Sequence, residues 1–280
     1  MKKLIIIGSS GFVGKSLNDY LKNKGNFKII NYSRTEKKNI IRIKKLPISD
    51  YIIYCINNQN IKLSLKYFCH FKKLLKRSSK KVKIVFFSSG AIYGPRSIQR
   101  KFQENEKIYK SKYNKFSGYK KKYSKEKYIL EKEFKKITKE GFKVSIVRGF
   151  AFYGKYILNY DYLISKIILS VKSKKPLKIN NPNIRRSYMH SDDMCRWLIK
   201  IANFSSINCP VINLGSDKIL NLTKFVNYLN KKFKSNITIN KNNIKKIDFY
   251  VPSINFAEKT LKLKNTVNFN NAINSLIKIK

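Results

Sequence analysis

The chain has 280 residues, enough for one large domain or two small ones and long enough to bury a core without a metal or disulfide staple. Sixty-two bases oppose fifteen acids for a net charge of +47, yet 42 % of the residues are hydrophobic, inside the globular range. No apolar run nears the roughly 18 residues of a membrane span, and Cys55, Cys69, Cys195 and Cys209 never form a C-x-x-C pair, so neither a zinc ribbon nor a disulfide framework is expected, no metal is expected, and reduced thiols fit a cytoplasmic protein.

Lys2–Ile7 reads as a short buried strand, and Gly8 stops its apolar run after four residues, too few for a signal peptide. Phe12–Leu21 has helical spacing and ends at Gly25. Strands follow at Phe27–Tyr32 and Tyr51–Ile56, then a helix over Ile61–Leu75 and a fourth strand over Val82–Phe87. Residues 95–117 are polar and aperiodic and read as a surface loop. A long helix, Tyr119–Ile137, closes at Gly141 and leads into a fifth strand, Phe142–Val147. Strands alternating with helices predict an α/β fold with a parallel, doubly wound sheet. Beyond about residue 155 the pattern loosens, with helices expected near 160–172, 193–203 and 222–233 and short strands between them.

The charge has two readings. One is nucleic-acid or anionic-membrane binding. The other is compositional: Lys (53), Ile (39), Asn (30), Tyr (18) and Phe (18) make up 158 of the 280 residues, and all five have AT-rich codons. Lysines lie along the whole chain rather than in a basic tail. The compositional reading predicts no specific nucleic-acid partner.

The first strand runs directly into Gly8-Ser9-Ser10-Gly11-Phe12-Val13-Gly14 and a helix follows. In such a loop one glycine makes the tight turn, one admits a pyrophosphate, one lets the helix pack on the strand, and the helix N-terminus faces the anion. Eleven glycines generate this spacing by chance only about 0.02 times. The loop predicts a dinucleotide cofactor held at Gly8, Ser10, Gly11, Phe12, Val13 and Gly14.

The G-x-x-G-x-x-G form resembles that of the extended short-chain dehydrogenase/reductases, the NAD-dependent epimerase/dehydratase family acting on sugar nucleotides. Ser88-Ser89-Gly90-Ala91-Ile92-Tyr93-Gly94 resembles its S-S-x-x-x-Y-G segment. Tyr123-Ser124-Lys125-Glu126-Lys127, with Glu131 beyond, resembles its Y-x-x-x-K helix. Arg186-Ser187-Tyr188-Met189-His190-Ser191-Asp192-Asp193 and Val211-Ile212-Asn213-Leu214-Gly215-Ser216 resemble two further segments, with Asn221 as cap of the next helix. The resemblance implies a Rossmann-type cofactor domain over 1–155, a smaller C-terminal α/β region over 156–280 for the sugar nucleotide, and a possible homodimer.

Five Tyr-x-x-x-Lys matches occur, at Tyr20, Tyr123, Tyr128, Tyr162 and Tyr228, but only Tyr123 has the right context: the helix between strands four and five, 34 residues after Ser89. Tyr128 faces about 140° away from it, whereas Lys127 shares its face. A phenol of pKa near 10 needs a nearby cation to act as a base. Ser89, Tyr123 and Lys127 are therefore the expected catalytic set. Tyr123 and Lys127 also border the cofactor.

Arg34, at the tip of strand two, is placed to accept a 2′-phosphate and favours NADP, with NAD the other possibility; Glu36 comes late for a ribose hydroxyl. Strand three ends Cys55-Ile56-Asn57-Asn58, where the family usually carries H-x-A-A. Arg186 aligns with the family's diphosphate-contacting Arg, and Tyr93 is a second expected substrate contact. Asp192 and Asp193 suit helix capping, and His190 suits a structural hydrogen bond.

Arg148-Gly149-Phe150-Ala151-Phe152-Tyr153-Gly154 carries Ala where the family has a substrate-binding Asn, and looks closer to the CDP-abequose synthase-like branch. The family's 4,6-dehydratases place Asp-Glu directly after the Ser/Thr; here those positions are Gly90 and Ala91, which cannot move a proton. The expected activity is an NAD(P)-dependent 4-ketoreductase of a nucleotide deoxysugar, as in polysaccharide biosynthesis. Two alternatives stand beside it: a nucleotide-sugar 4-epimerase with retained NAD, and a non-catalytic cofactor binder using its basic surface for RNA or acidic partners.

Overall fold

The computed structural model describes all residues except 23, 34–38, 59, 160, 161, 241, 243–245, 279 and 280. Its first half alternates strand and helix: β1 (Lys2–Ile7), α1 (Phe12–Lys22), β2 (Phe27–Tyr32), β3 (Tyr51–Tyr54), α2 (Ile61–Leu75), β4 (Lys83–Ser89), the short α3 (Lys110–Tyr113), α4 (Gly118–Thr138) and β5 (Lys143–Gly149). β6 (Phe152–Tyr153), α5 (Leu163–Ser173), β7 (Leu177–Ile179), β8 (Ile184–Arg186), β9 (Met189–His190), α6 (Ser191–Phe204), β10 (Val211–Leu214), α7 (Leu222–Phe233), β11 (Ile237–Ile239), β12 (Asp248–Tyr250), α8 (Asn255–Leu261) and α9 (Phe269–Lys278) follow.

Six strands form one parallel sheet in the order β2-β1-β3-β4-β5-β10. The chain winds outward from β1 in both directions, so the expected doubly wound sheet is present, and β1 and β3 flank the point where the order reverses. Ligands of such sheets bind at the carboxyl ends of the strands beside that point. The period-2 alternation of a strand serves two apolar layers. Leu4 and Ile6 join a core with α1, α6 and α8, around the fully buried Trp197. Ile5 and Ile7 join a second core with α2 and α4. In that layer Phe134 of α4 stacks on Phe86 at 4.3 Å and meets Phe68 and Tyr54 edge-on at 4.9 and 5.2 Å. A third cluster joins α5, α7 and α9 with β7 and β11.

Two segments differ from expectation. Residues 95–117 are not simply a surface loop: Phe102 is fully buried, its N–H donates to Val251 O at 3.0 Å, and its carbonyl accepts from Ser253 N at 2.7 Å. Helix α6 is capped by His190, whose Nδ1 accepts from Asp192 N at 3.2 Å, and not by an aspartate. Asp193 instead turns inward and ties α6 to the segment before α9. It accepts from Thr266 N and Oγ1 at 2.9 and 2.8 Å, Val267 N at 3.0 Å and Arg196 Nη2 at 2.6 Å. Asn221 caps α7 as expected, accepting from Lys224 N.

Phe134→Ala should lower the urea midpoint by the equivalent of about 3–5 kcal/mol, the usual loss for a buried aromatic; a loss below about 1 kcal/mol would show that the aromatic layer closes over the gap. Asp193→Asn should cost about 1–2 kcal/mol near neutrality, since Arg196 is partly exposed. Burial raises the Asp193 carboxyl, but Arg196 and the Thr266 and Val267 donors outweigh it and hold it below the usual range. A depressed folded-state pKa gives stability that is present above the unfolded value and lost as pH falls through the folded one. Urea midpoints of the two proteins should therefore converge in acid.

Candidate functional site

The carboxyl ends of β1, β3 and β4 meet under the N-terminal half of α4. At the end of β1 the glycine loop is tied to β2: Gly8 N and Ser9 N donate to Tyr32 O at 2.8 and 3.0 Å, and Ser9 Oγ donates to the same oxygen at 3.1 Å. Gly8 has φ +106°, and a Cβ there would stand 2.8 Å from the Cys55 carbonyl carbon. Ser10 is exposed, and Gly11 leads into α1 at Phe12, followed by Val13 and Gly14. The first turn of α1 carries no acid, so no side-chain charge opposes an anion at this helix N-terminus. A bare loop held close to the strand ends, at a helix N-terminus whose first turn has no acid, fits the pyrophosphate of a dinucleotide. Arg34 lies outside the described residues.

Ser89 is the last residue of β4. Its Oγ accepts from Ala91 N at 3.2 Å, starting a tight turn over Gly90–Tyr93. Tyr123 and Lys127 are one turn apart on α4 and both point toward the strand ends, as the i,i+4 spacing requires. The Tyr123 phenol lies close enough to Ser89 for that hydroxyl to act on it. Burial pushes this phenol well above its ordinary value, and Ser89 opposes the rise. Lys127 is 2 % exposed. Its Nζ donates to Ile56 O at 2.9 Å and Phe87 O at 3.3 Å and lies 5.7 Å from the centre of the Tyr123 ring. Burial lowers its pKa, against the opposing charge of Glu126.

Glu126, next to Lys127 in the chain, is also buried, with Oε1 3.5 Å from Asn58 N and Oε2 without a partner. Asn57 Oδ1 is likewise buried and unpartnered. These groups sit where the end of strand three departs from the family pattern. The acid was visible in the sequence, one of only fifteen, but only the helical register reveals that it faces inward.

Beneath Ser89 runs a buried polar network. Arg148 of β5 donates to Glu131 of α4 through Nε (3.1 Å to Oε1) and Nη2 (3.0 Å to Oε2), and Ser88 Oγ donates to Glu131 Oε1 at 2.6 Å. Tyr93 belongs to this network. It is 2 % exposed, accepts from Arg148 Nη1 at 2.8 Å and donates to Asn213 Oδ1 at 2.9 Å. Burial pushes its phenol up to about 12. Gly90 packs against the Phe150 ring so closely that a Cβ would lie 2.6 Å from Cζ.

Arg186 approaches from the C-terminal half. Its Nη2 donates to Asp248 Oδ2 at 2.5 Å and its Nη1 to Asp248 O at 2.6 Å. Across the β8–β12 pair Arg186 is in register with Tyr250, and its guanidinium lies 5.4 Å from that ring. Tyr250 has no motif to announce it, yet it too lies near Ser89, and its hydroxyl donates to Gly149 O at 3.4 Å. Tyr162, which precedes α5, adds to the rise at both Tyr123 and Tyr250. Among the described residues no His, Cys, Asp and Glu side chains form a metal-holding group of three, and no helix is long and apolar enough to cross a membrane.

Among solved structures, RMD from Pseudomonas aeruginosa complexed with NADPH matches with a TM-score of 0.77 and 15 % identity, over 99 % of this chain and 98 % of that one. UDP-N-acetylglucosamine 4-epimerase from Bacillus cereus matches at 0.75 and 17 %, over 99 % and 98 %. dTDP-glucose 4,6-dehydratase from Bacillus anthracis in complex with NAD matches at 0.77 and 14 %, over 99 % and 96 %. A search of curated proteins finds no match. The model of the NAD dependent epimerase/dehydratase family matches residues 57–215, more than half of the chain and all of the Ser89, Tyr123, Lys127 and Arg186 segments: the protein belongs to that family of NAD(P)-dependent enzymes.

Proposed function

We propose that the protein is an NADPH-dependent 4-ketoreductase of a nucleotide deoxysugar. The observation that carries this reading is the convergence of Ser89, Tyr123 and Lys127 at the strand ends beside the glycine loop, with no proton-transfer group at positions 90 and 91. The bound dinucleotide supplies hydride. Ser89 holds the ketone oxygen, and Tyr123 donates its proton to that oxygen as the carbon is reduced. A resting phenol held well above its ordinary pKa is in the protonated form that this direction needs. Lys127 stabilises the phenolate that remains. Arg186, oriented by Asp248, is the cation for the substrate diphosphate. Tyr93 anchors the floor beneath Ser89 through Arg148 and Asn213.

Dehydration is disfavoured sterically as well as chemically, because the Phe150 ring fills the space that a side chain at position 90 would take. Arg34 and the likeness of residues 148–154 and 186–198 to the CDP-abequose synthase-like branch support the reductase over the epimerase, and the free cysteines suit a cytoplasmic enzyme. Assay of the purified protein separates the two. Nucleotide-free protein that oxidises NADPH with a 4-keto deoxysugar nucleotide supports the reductase. Retained NAD with interconversion of 4-hydroxy epimers would replace it by the epimerase.

Tyr123→Phe should reduce turnover by about 10²–10⁴ while cofactor affinity stays within a few-fold, and Tyr128→Phe should be nearly silent; wild-type activity in Tyr123→Phe would exclude this proton donor. Arg34→Asp should weaken NADPH binding by about 1.5–3 kcal/mol, the range for a charge-assisted hydrogen bond, and spare NADH. Equal affinities for both cofactors in the unmodified protein would overturn the NADP preference.

A further inference from the structure

The cation assigned to the substrate diphosphate is already paired. Arg186 Nη1 is engaged by two backbone carbonyls, Asp248 O at 2.6 Å and Arg185 O at 3.2 Å. These carbonyls orient the guanidinium whatever side chain stands at position 248. A phosphate gripped through two parallel hydrogen bonds must therefore use the edge formed by Nη2 and Nε. Asp248 Oδ2 sits on Nη2, at 2.5 Å. The backbone carrying this carboxylate is fixed: Asp248 N donates to Asn183 O at 3.1 Å and Phe249 N to Arg96 O at 2.9 Å. The carboxylate itself is not enclosed. The Asp248 side chain is 40 % exposed, so it can swing into solvent while β12 stays in place.

We propose that Asp248 is a displaceable stand-in for the substrate diphosphate. Its carboxylate holds the phosphate's place on Arg186 between turnovers, leaves when the sugar nucleotide binds and returns as the product goes. The inference rests on reading Arg186 as the diphosphate cation. Substrate and product carry the same diphosphate, so a grip on it strengthens both equally, and a strong one delays release. In a chain with 62 bases and 15 acids, attraction for a polyphosphate is abundant and release is the harder step. Withdrawing a diphosphate from Arg186, whose side chain is only 17 % exposed, would leave a cation largely shut away from water and unpaired, which is costly. A carboxylate on the neighbouring strand that retakes Nη2 removes that cost. The magnitudes permit the exchange. An ion pair with one partner this exposed is weak, whereas a diphosphate brings more charge and a two-point grip.

The test is calorimetric titration with CDP, UDP and dTDP, each beside its nucleoside, on the unmodified chain, Asp248→Asn, Arg186→Gln and the double variant. Asp248→Asn keeps the backbone carbonyl and the size but gives up the charge. The diphosphate that binds best should then bind about three- to tenfold tighter at low salt, from the lost competition and repulsion, while its nucleoside is unaffected. Its dissociation, followed by stopped flow, should slow by the same factor, and Asp248→Ala should reproduce the gain. In the Arg186→Gln background the gain should vanish. Equal or weaker diphosphate binding in Asp248→Asn, or the same gain in the Arg186→Gln background, overturns the proposal. The two readings fail separately. If Arg186→Gln leaves diphosphate binding unchanged, or none of the three diphosphates binds the unmodified protein, the role of Arg186 falls and the stand-in with it. If Arg186→Gln weakens binding and Asp248→Asn does not strengthen it, only the stand-in falls.

Discussion

The Lys127 ammonium joins three elements that have no other reason to end at the same point. Its hydrogen bonds reach the carbonyls of Ile56, after β3, and Phe87, near the end of β4, while its backbone belongs to α4. A buried cation without partners is costly. This one is balanced by two carbonyl dipoles and by Glu126 and Glu131 on the same helix. The position of Tyr123 follows, because it lies one turn earlier on a helix whose register the ammonium fixes. Ser89 is positioned by the strand that the same ammonium grips. The geometry of the site is thus a by-product of satisfying one buried charge.

Acids are scarce in this chain, and several of the fifteen are spent inside. Glu131 pairs with Arg148, Asp193 with Arg196, Glu106 with Arg96, and Asp248 with Arg186. These four arginines answer carboxylates at or near the joints of the fold. Lysine carries most of the remaining positive charge and is spread along the chain. A composition drift toward lysine can proceed on a solvated surface at little cost, whereas an Arg–carboxylate fork has a geometry that lysine does not reproduce. This distinction explains how a chain with a charge of +47 retains a conventional interior.

The elements legible in the sequence are those whose pattern is local. β1, β2 and α2 have the ends that apolar runs and glycines indicate, and Tyr123 was separable from four competing tyrosines by its place between two strands. Elements beyond about residue 155 are harder to read. β7, β8, β11 and β12 have three residues each, too few to display alternation, and α8 and α9 were not anticipated. Phe102 is buried by residues 251–253, a partnership about 150 positions apart that periodicity cannot report. Tyr250 escaped for the same reason: it meets Gly149 and Phe150 across the fold, about 100 positions away, and not its neighbours in sequence. Tyr93 and Asp193 carry a different lesson, since a motif supplies a residue's position and only packing reveals which side its polar atoms face.

The contact between Gly90 and Phe150 has an evolutionary consequence. A proton-transfer side chain at position 90 cannot be gained by one substitution, because its Cβ would enter the Phe150 ring. Shrinking Phe150 first would open the space, but the same ring packs on Tyr250 and Phe102, so that step would loosen the aromatic cluster around Ser89 before any new chemistry compensated. The route from this active site to one with an acid at position 90 crosses a fitness valley at least two substitutions wide. The lineage is held to its present reaction by the volume of a side chain that takes no part in it.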